Sequence, residues 1–140
     1  MSKRDISFYI VDVFIAIDKI KRYTSKYKNA QDLLFSELNW DATLRELEIV
    51  GEATKHLLSL EILPVSYRRI VDFRNQISHA YFGIDENIIW DIIHNKLPLY
   101  EDELFQIVKT EPIDLTRAIG KIREERFIND QIEKLLQKIS

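Results

Sequence analysis

Between Ile6 and Tyr23 the apolar residues Ile6, Ile10, Val13, Phe14, Ile17, Ile20 and Tyr23 recur at spacings of three and four. Side chains so spaced share one side of a 3.6-residue turn, which predicts a first amphipathic helix. A short apolar segment, Leu33-Leu34-Phe35, follows within 29–39. Trp40 and Asp41 then open a second helix, with Asp41 capping its first turn, that runs to about Leu60 on a stripe of Leu44, Leu47, Val50, Gly51, Thr54, Leu57 and Leu58. Gly51 inside that stripe marks a place where another backbone can approach closely. Pro64 and Ser66 restart the chain, with Ser66 as the cap of a third helix that carries Ile70, Phe73, Ile77 and Ala80 on one face and breaks at Gly83. Asp85 caps a fourth helix over 86–96, and Pro98 suits the start of a fifth, which Pro112 ends. Leu115, Ile119, Ile122, Phe127, Ile128, Ile132 and Leu135 place a sixth helix over 114–139, with a stripe that packs either on the bundle or on a partner.

This pattern predicts an all-α fold, an up-and-down helical bundle of five to six helices. One domain is expected over 1–140, with 110–140 as a C-terminal helical extension. Composition agrees with the pattern. Three Gly and three Pro leave few places to turn a strand. At 140 residues the chain is long enough to bury a core without crosslinks, and 46% apolar with 31% charged residues excludes a disordered or membrane class. Cysteine is absent, which removes disulfides, thiol catalysis and thiolate metal sites. His56, His79 and His94 are too scattered for metal-ligand spacing, so no metal and no cofactor are expected. The opening Met1-Ser2-Lys3-Arg4-Asp5 leads into mixed charge rather than an apolar run, so a cytoplasmic protein without membrane attachment is expected. A net charge of −3 does not advertise a nucleic-acid binder, and any RNA contact has to be local.

Chemistry concentrates in Asp72-Phe73-Arg74-Asn75-Gln76-Ile77-Ser78-His79-Ala80-Tyr81-Phe82-Gly83. Asn75 and His79 stack at i and i+4, so Asn75 is placed to orient the imidazole. Arg74 and His79, five residues apart, point in different directions on one helix. Two copies of this helix beside a two-fold axis would line one cleft with both residues from both chains. The set suits RNA cleavage by the neighbouring 2′-hydroxyl: imidazoles move protons near neutral pH, and a guanidinium fork matches two phosphate oxygens. Structural readings stand beside this one. In these, Arg74 is satisfied by Asp72 or Glu52, His79 by the helix C-terminus it caps, and Tyr81 by the core.

Arg74-Asn75 with His79 and Tyr81 spells Arg-x4-His-x-Tyr, which resembles the signature of HepT-like proteins of the HEPN superfamily. Leu47-Glu48-Ile49-Val50-Gly51-Glu52-Ala53, Ser66-Tyr67-Arg68-Arg69-Ile70-Val71, Tyr81-Phe82-Gly83-Ile84-Asp85, Ile88-Ile89-Trp90-Asp91-Ile92-Ile93 and Leu97-Pro98 extend the resemblance over about residues 5 to 108. The resemblance implies a homodimeric ribonuclease toxin of a type VII-like toxin-antitoxin pair, with Arg74 and His79 catalytic and Glu52 and Asn75 supporting. It implies metal-independent cleavage of RNA to 2′,3′-cyclic phosphate and 5′-hydroxyl ends. The partner it implies is an MNT-type nucleotidyltransferase antitoxin that silences the toxin by binding or by transferring AMP to Tyr81. Arg68 and Arg69, close to the motif, are candidates for phosphate contacts. Lys19, Lys21, Arg22, Lys26 and Lys28 form a basic run that is either solvated surface or a guide for RNA. The alternative is a non-catalytic dimeric binding module that partners a nucleotidyltransferase.

Overall fold

The computed structural model describes residues 5–79, 83–111, 113–125 and 128–140, and its regular elements among these are all helical. In chain order they are α1 (Ile6–Thr24), α2 (Ala30–Phe35), α3 (Glu37–Ser59), a 3₁₀ turn (Val65–Tyr67), α4 (Arg68–His79), α5 (Glu86–Asp91), a π turn (Ile92–Lys96), α6 (Leu97–Thr110), α7 (Thr116–Glu125) and α8 (Asp130–Ile139). None is long and apolar enough to cross a membrane.

The first helix starts where its stripe does, because the Asp5 carboxylate accepts from Ser7 N and Ser7 Oγ. Those two bonds hold the Asp5 carboxyl below the usual carboxylate range. Ile10, Val13, Phe14, Ile17 and Ile20 are buried, and α1 packs chiefly on α3. The apolar segment after it is a helix in its own right, α2, capped by Asn29.

Four boundaries differ from the sequence expectation. Asp41 does not cap the second long helix: α3 begins at Glu37, because the Ser36 carbonyl already accepts from Trp40 N, which leaves Asp41 in the second turn. Ser66 lies within the 3₁₀ turn, whose N-cap is Pro64, rather than at the cap of α4. The expected break before Pro98 is absent. Asp85 does cap α5, but the chain then continues through the π turn, where Leu97 N reaches back to Ile92 O, into α6. Pro98 falls in the first turn of α6, where a missing N–H is tolerated. The single C-terminal helix is two, because the Asn129 side chain accepts from Ile132 N and starts α8 afresh.

Ala118, Ile119 and Ile122 of α7 and Ile132, Leu135, Leu136 and Ile139 of α8 are buried in the same apolar cluster as α1, and both helices touch α1. Of the two roles open to this stripe, packing on the bundle is the one it performs. The turn out of α3 directs the chain into α4. Ile62 N bonds Leu57 O and Glu61 N bonds Leu58 O, with Glu61 at φ 60°, the paired bonds of a Schellman turn. The antiparallel return that follows lays α4 against α3.

Candidate active site

The geometry of the site starts with a glycine. A Cβ on Gly51 would stand 2.3 Å from Arg74 Cβ and 2.7 Å from its Cγ, so the bare backbone of α3 is what lets the Arg74 stem lie across it. The expectation at Gly51 is the approach of another backbone; the group that comes closest is the Arg74 side-chain stem, with the nearest backbone atom, Ile70 O, 3.5 Å from the added Cβ. Gly51→Ala therefore forces α4 outward. Overpacking of this kind costs about 1–3 kcal/mol, read as a lower midpoint in urea unfolding.

From that seat the Arg74 guanidinium meets two side chains. Nη2 lies 3.2 Å from Glu52 Oε2, one residue beyond the glycine on α3, and Nη1 donates to Asn75 Oδ1 at 3.1 Å. Nε is buried with no hydrogen-bond partner among the described residues. The group is thus fixed by its stem and two contacts while its side chain stays 32% exposed, enough for an incoming anion to reach it. Glu52 stands against Arg74, the contact that a supporting role and a plain ion pair between helices would both produce. Asn75, expected to orient His79, turns its oxygen to Arg74 instead.

His79 is exposed at the last described residue of α4. Five residues separate it from Arg74, about 7.5 Å along the axis and 140° around it, and within one chain the two do not meet. Tyr81 lies outside the described residues, as does Ala80. Arg68 and Arg69 are exposed on the first turn of α4. In the basic run, Lys21 pairs with Glu101 at 2.6 Å and Arg22 with Asp18 at 3.0 Å, which neutralises part of its charge.

One residue of the cluster, His56, has no role in the sequence pattern beyond being too scattered from the other histidines to share a metal. His56 Nε2 lies 3.4 Å from Glu52 Oε1, so Glu52 stands between His56 and Arg74. The available signal was the i, i+4 spacing of Glu52 and His56 on a helix face. His94, by contrast, is held locally by Trp90: Nδ1 lies 2.9 Å from its carbonyl oxygen and the rings are 4.1 Å apart.

The neighbouring face of α4 borders a groove of about 480 Å³, walled by Ile70 and Phe73 of α4, Leu47 and Val50 of α3, and Ile92 and Leu97. Tyr67 and Tyr100 meet at its floor, 4.6 Å between ring centroids. The Tyr67 hydroxyl donates to Glu103, and Tyr100 shares a 2.8 Å hydrogen bond with Thr54. Burial pushes both phenols well above the usual tyrosine range, with the Glu103 carboxylate adding to the effect, so each remains a protonated hydroxyl. Ile88 and Leu99 stand exposed at the groove, at 48% and 67%. Arg69, Lys96, Asp91 and Glu103 give it charges of both signs.

Comparison with known proteins gives the family. Residues 14–109 match the ribonuclease HepT-like family. A Methanocaldococcus jannaschii protein provisionally named an RNase is 32% identical over 117 residues, covering 78% of this chain and 92% of the relative. The protein named probable ribonuclease HepT of Thermococcus cleftensis is 30% identical over 99 residues, covering 69% of this chain and 89% of the relative. Another M. jannaschii protein, named a gamma-glutamylcyclotransferase and, provisionally, an RNase, is 26% identical over 110 residues. That match takes 76% of this chain but only 49% of the longer relative. No solved structure matches the chain.

Proposed function

Because the chain belongs to the ribonuclease HepT-like family, we propose that it is a metal-independent endoribonuclease, the toxin of a cytoplasmic type VII-like toxin-antitoxin pair, acting through Arg74 and His79. The observation that carries this reading is the Arg74 guanidinium, seated on Gly51, held by Glu52 and Asn75, and still open to an anion. A phosphate clamp makes use of such a seat, because a fork held in one plane presents two donors together.

Within a homodimer the two α4 helices supply two Arg74 and two His79 to one cleft. One imidazole takes the proton of the 2′-hydroxyl as its oxygen bonds to phosphorus. The bond from phosphorus to the 5′ oxygen breaks, and the second imidazole gives that oxygen a proton. Arg74 meets the extra negative charge on the non-bridging oxygens. The products are a 2′,3′-cyclic phosphate and a 5′-hydroxyl. Arg68 and Arg69, exposed earlier on the same helix, are suited to flanking phosphates. The second copy is proposed to sit on the apolar groove beside α4, since an isologous interface needs a self-complementary surface and this one combines exposed Ile88 and Leu99 with charges of both signs.

The proposed partner is an MNT-type nucleotidyltransferase antitoxin that acts by binding or by transferring AMP to Tyr81. On a residue two positions from His79 in sequence, an added phosphate would bring negative charge that repels RNA. The test is to incubate the purified protein with labelled RNA in EDTA, before and after phosphodiesterase treatment, and to analyse the product termini. Cyclic phosphate ends are expected. No cleavage by either preparation would favour the non-catalytic binding module.

A further inference from the structure

The proposed chemistry leaves one side chain of the cluster unused. His56 follows Glu52 by one turn on α3, with its Nε2 3.4 Å from Glu52 Oε1, while the other oxygen, Oε2, is 3.2 Å from Arg74 Nη2. On its far side the His56 ring lies flat on Tyr9 of α1, centroids 4.4 Å and planes 10° apart. Tyr9, His56, Glu52, Arg74 and Asn75 therefore form one continuous chain of contacts across α1, α3 and α4.

The physical need for such a chain lies in Glu52. Its side chain is 47% exposed and turns about three bonds. A single contact to Arg74 fixes a distance but not the plane of the carboxylate, which leaves this one of the guanidinium's two side-chain contacts free to turn. A second contact at the other oxygen narrows that freedom. His56 is suited to provide it, because it turns about two bonds only and stacking on Tyr9 settles its ring.

We propose that His56 is a positioning residue for Arg74. Stacked on Tyr9, it orients the Glu52 carboxylate, and Glu52 sets the plane in which Arg74 presents its fork. The proposal rests on Arg74 as the phosphate clamp, but its first readout needs no RNA. Restricted rotation about the Arg74 Cζ–Nε bond is measurable by NMR in protein labelled with ¹⁵N-arginine. His56→Phe keeps a ring on Tyr9 and removes the nitrogen, whereas His56→Gln restores a donor one turn from Glu52.

Slow Arg74 rotation is expected in the unaltered protein and in His56→Gln, and faster rotation in His56→Phe. Cleavage by His56→Phe should fall roughly ten- to hundredfold, the scale of a misplaced catalytic group, and recover in His56→Gln, with equal melting temperatures throughout. His56→Leu gives the same reading should the phenylalanine variant fold poorly. Unchanged Arg74 rotation in His56→Phe overturns the proposal whatever cleavage does, and so does full cleavage by a variant whose Arg74 has been released. Released rotation with no cleavage by any version, the unaltered protein included, supports the contact chain while removing the nuclease reading.

Discussion

His79→Ala is expected to leave RNA uncut, a loss of roughly a thousandfold or more if one proton-transfer group and its share of transition-state stabilisation disappear together. Stability should hardly move. The side chain is exposed at the end of the described part of α4, and surface truncations of this kind fall within about 0.5 kcal/mol of neutral. Loss of cleavage with an unchanged melting temperature is thus the signature of chemistry, and cleavage at the original rate would remove His79 from the mechanism. Arg74→Ala should lose cleavage to a similar extent but with some loss of stability, because the side chain packs on Gly51 and faces Glu52. Arg74→Lys separates charge from shape. It keeps a cation but not the planar fork, and activity close to that of the alanine variant would mean that bidentate geometry is what the reaction requires.

The helical class and most helix bodies were legible because apolar spacing reports burial directly, as Ile10, Val13, Phe14, Ile17 and Ile20 illustrate. Boundaries were less legible because several residues in a row qualify as starts. Ser36 and Asp41 are both good caps, and the choice of Ser36 is visible only in its bond from Trp40 N. The π turn at Ile92–Lys96 leaves no mark in a 3.6-residue pattern, and it joins segments that Pro98 had suggested dividing. Asn129 divided the tail without disturbing the apolar stripe, so periodicity ran through the gap.

At the site, Gly51 and Glu52 were legible in the segment resembling the family's second helix. The partner of Asn75 was not, since position i+4 and position i−1 both lie within reach and only coordinates choose between them. His56 is not legible through metal-ligand spacing, because its contact comes from being the i+4 neighbour of an acidic residue. These misses share a cause: local spacing names the groups that can meet, whereas the approach of α4 to α3 at Gly51 decides which ones do.

The double substitution Ile88→Glu and Leu99→Glu is expected to give a folded monomer that does not cut RNA. In the isolated chain these side chains are 48% and 67% exposed, so charge at either position buries nothing and should leave thermal unfolding nearly unchanged. Across a two-fold interface the same change places four carboxylates in an apolar groove, and uncompensated charge there costs far more than the contacts it replaces. Sedimentation should therefore report a shift from dimer to monomer at micromolar protein. The loss of cleavage follows from the single chain, in which Arg74 and His79 sit five residues apart on one helix and point different ways. A dimer that survives the double substitution would mean that the second copy sits elsewhere. A monomer that still cuts RNA would mean that one chain brings Arg74 and His79 to the same phosphate, and the shared cleft would have to be abandoned.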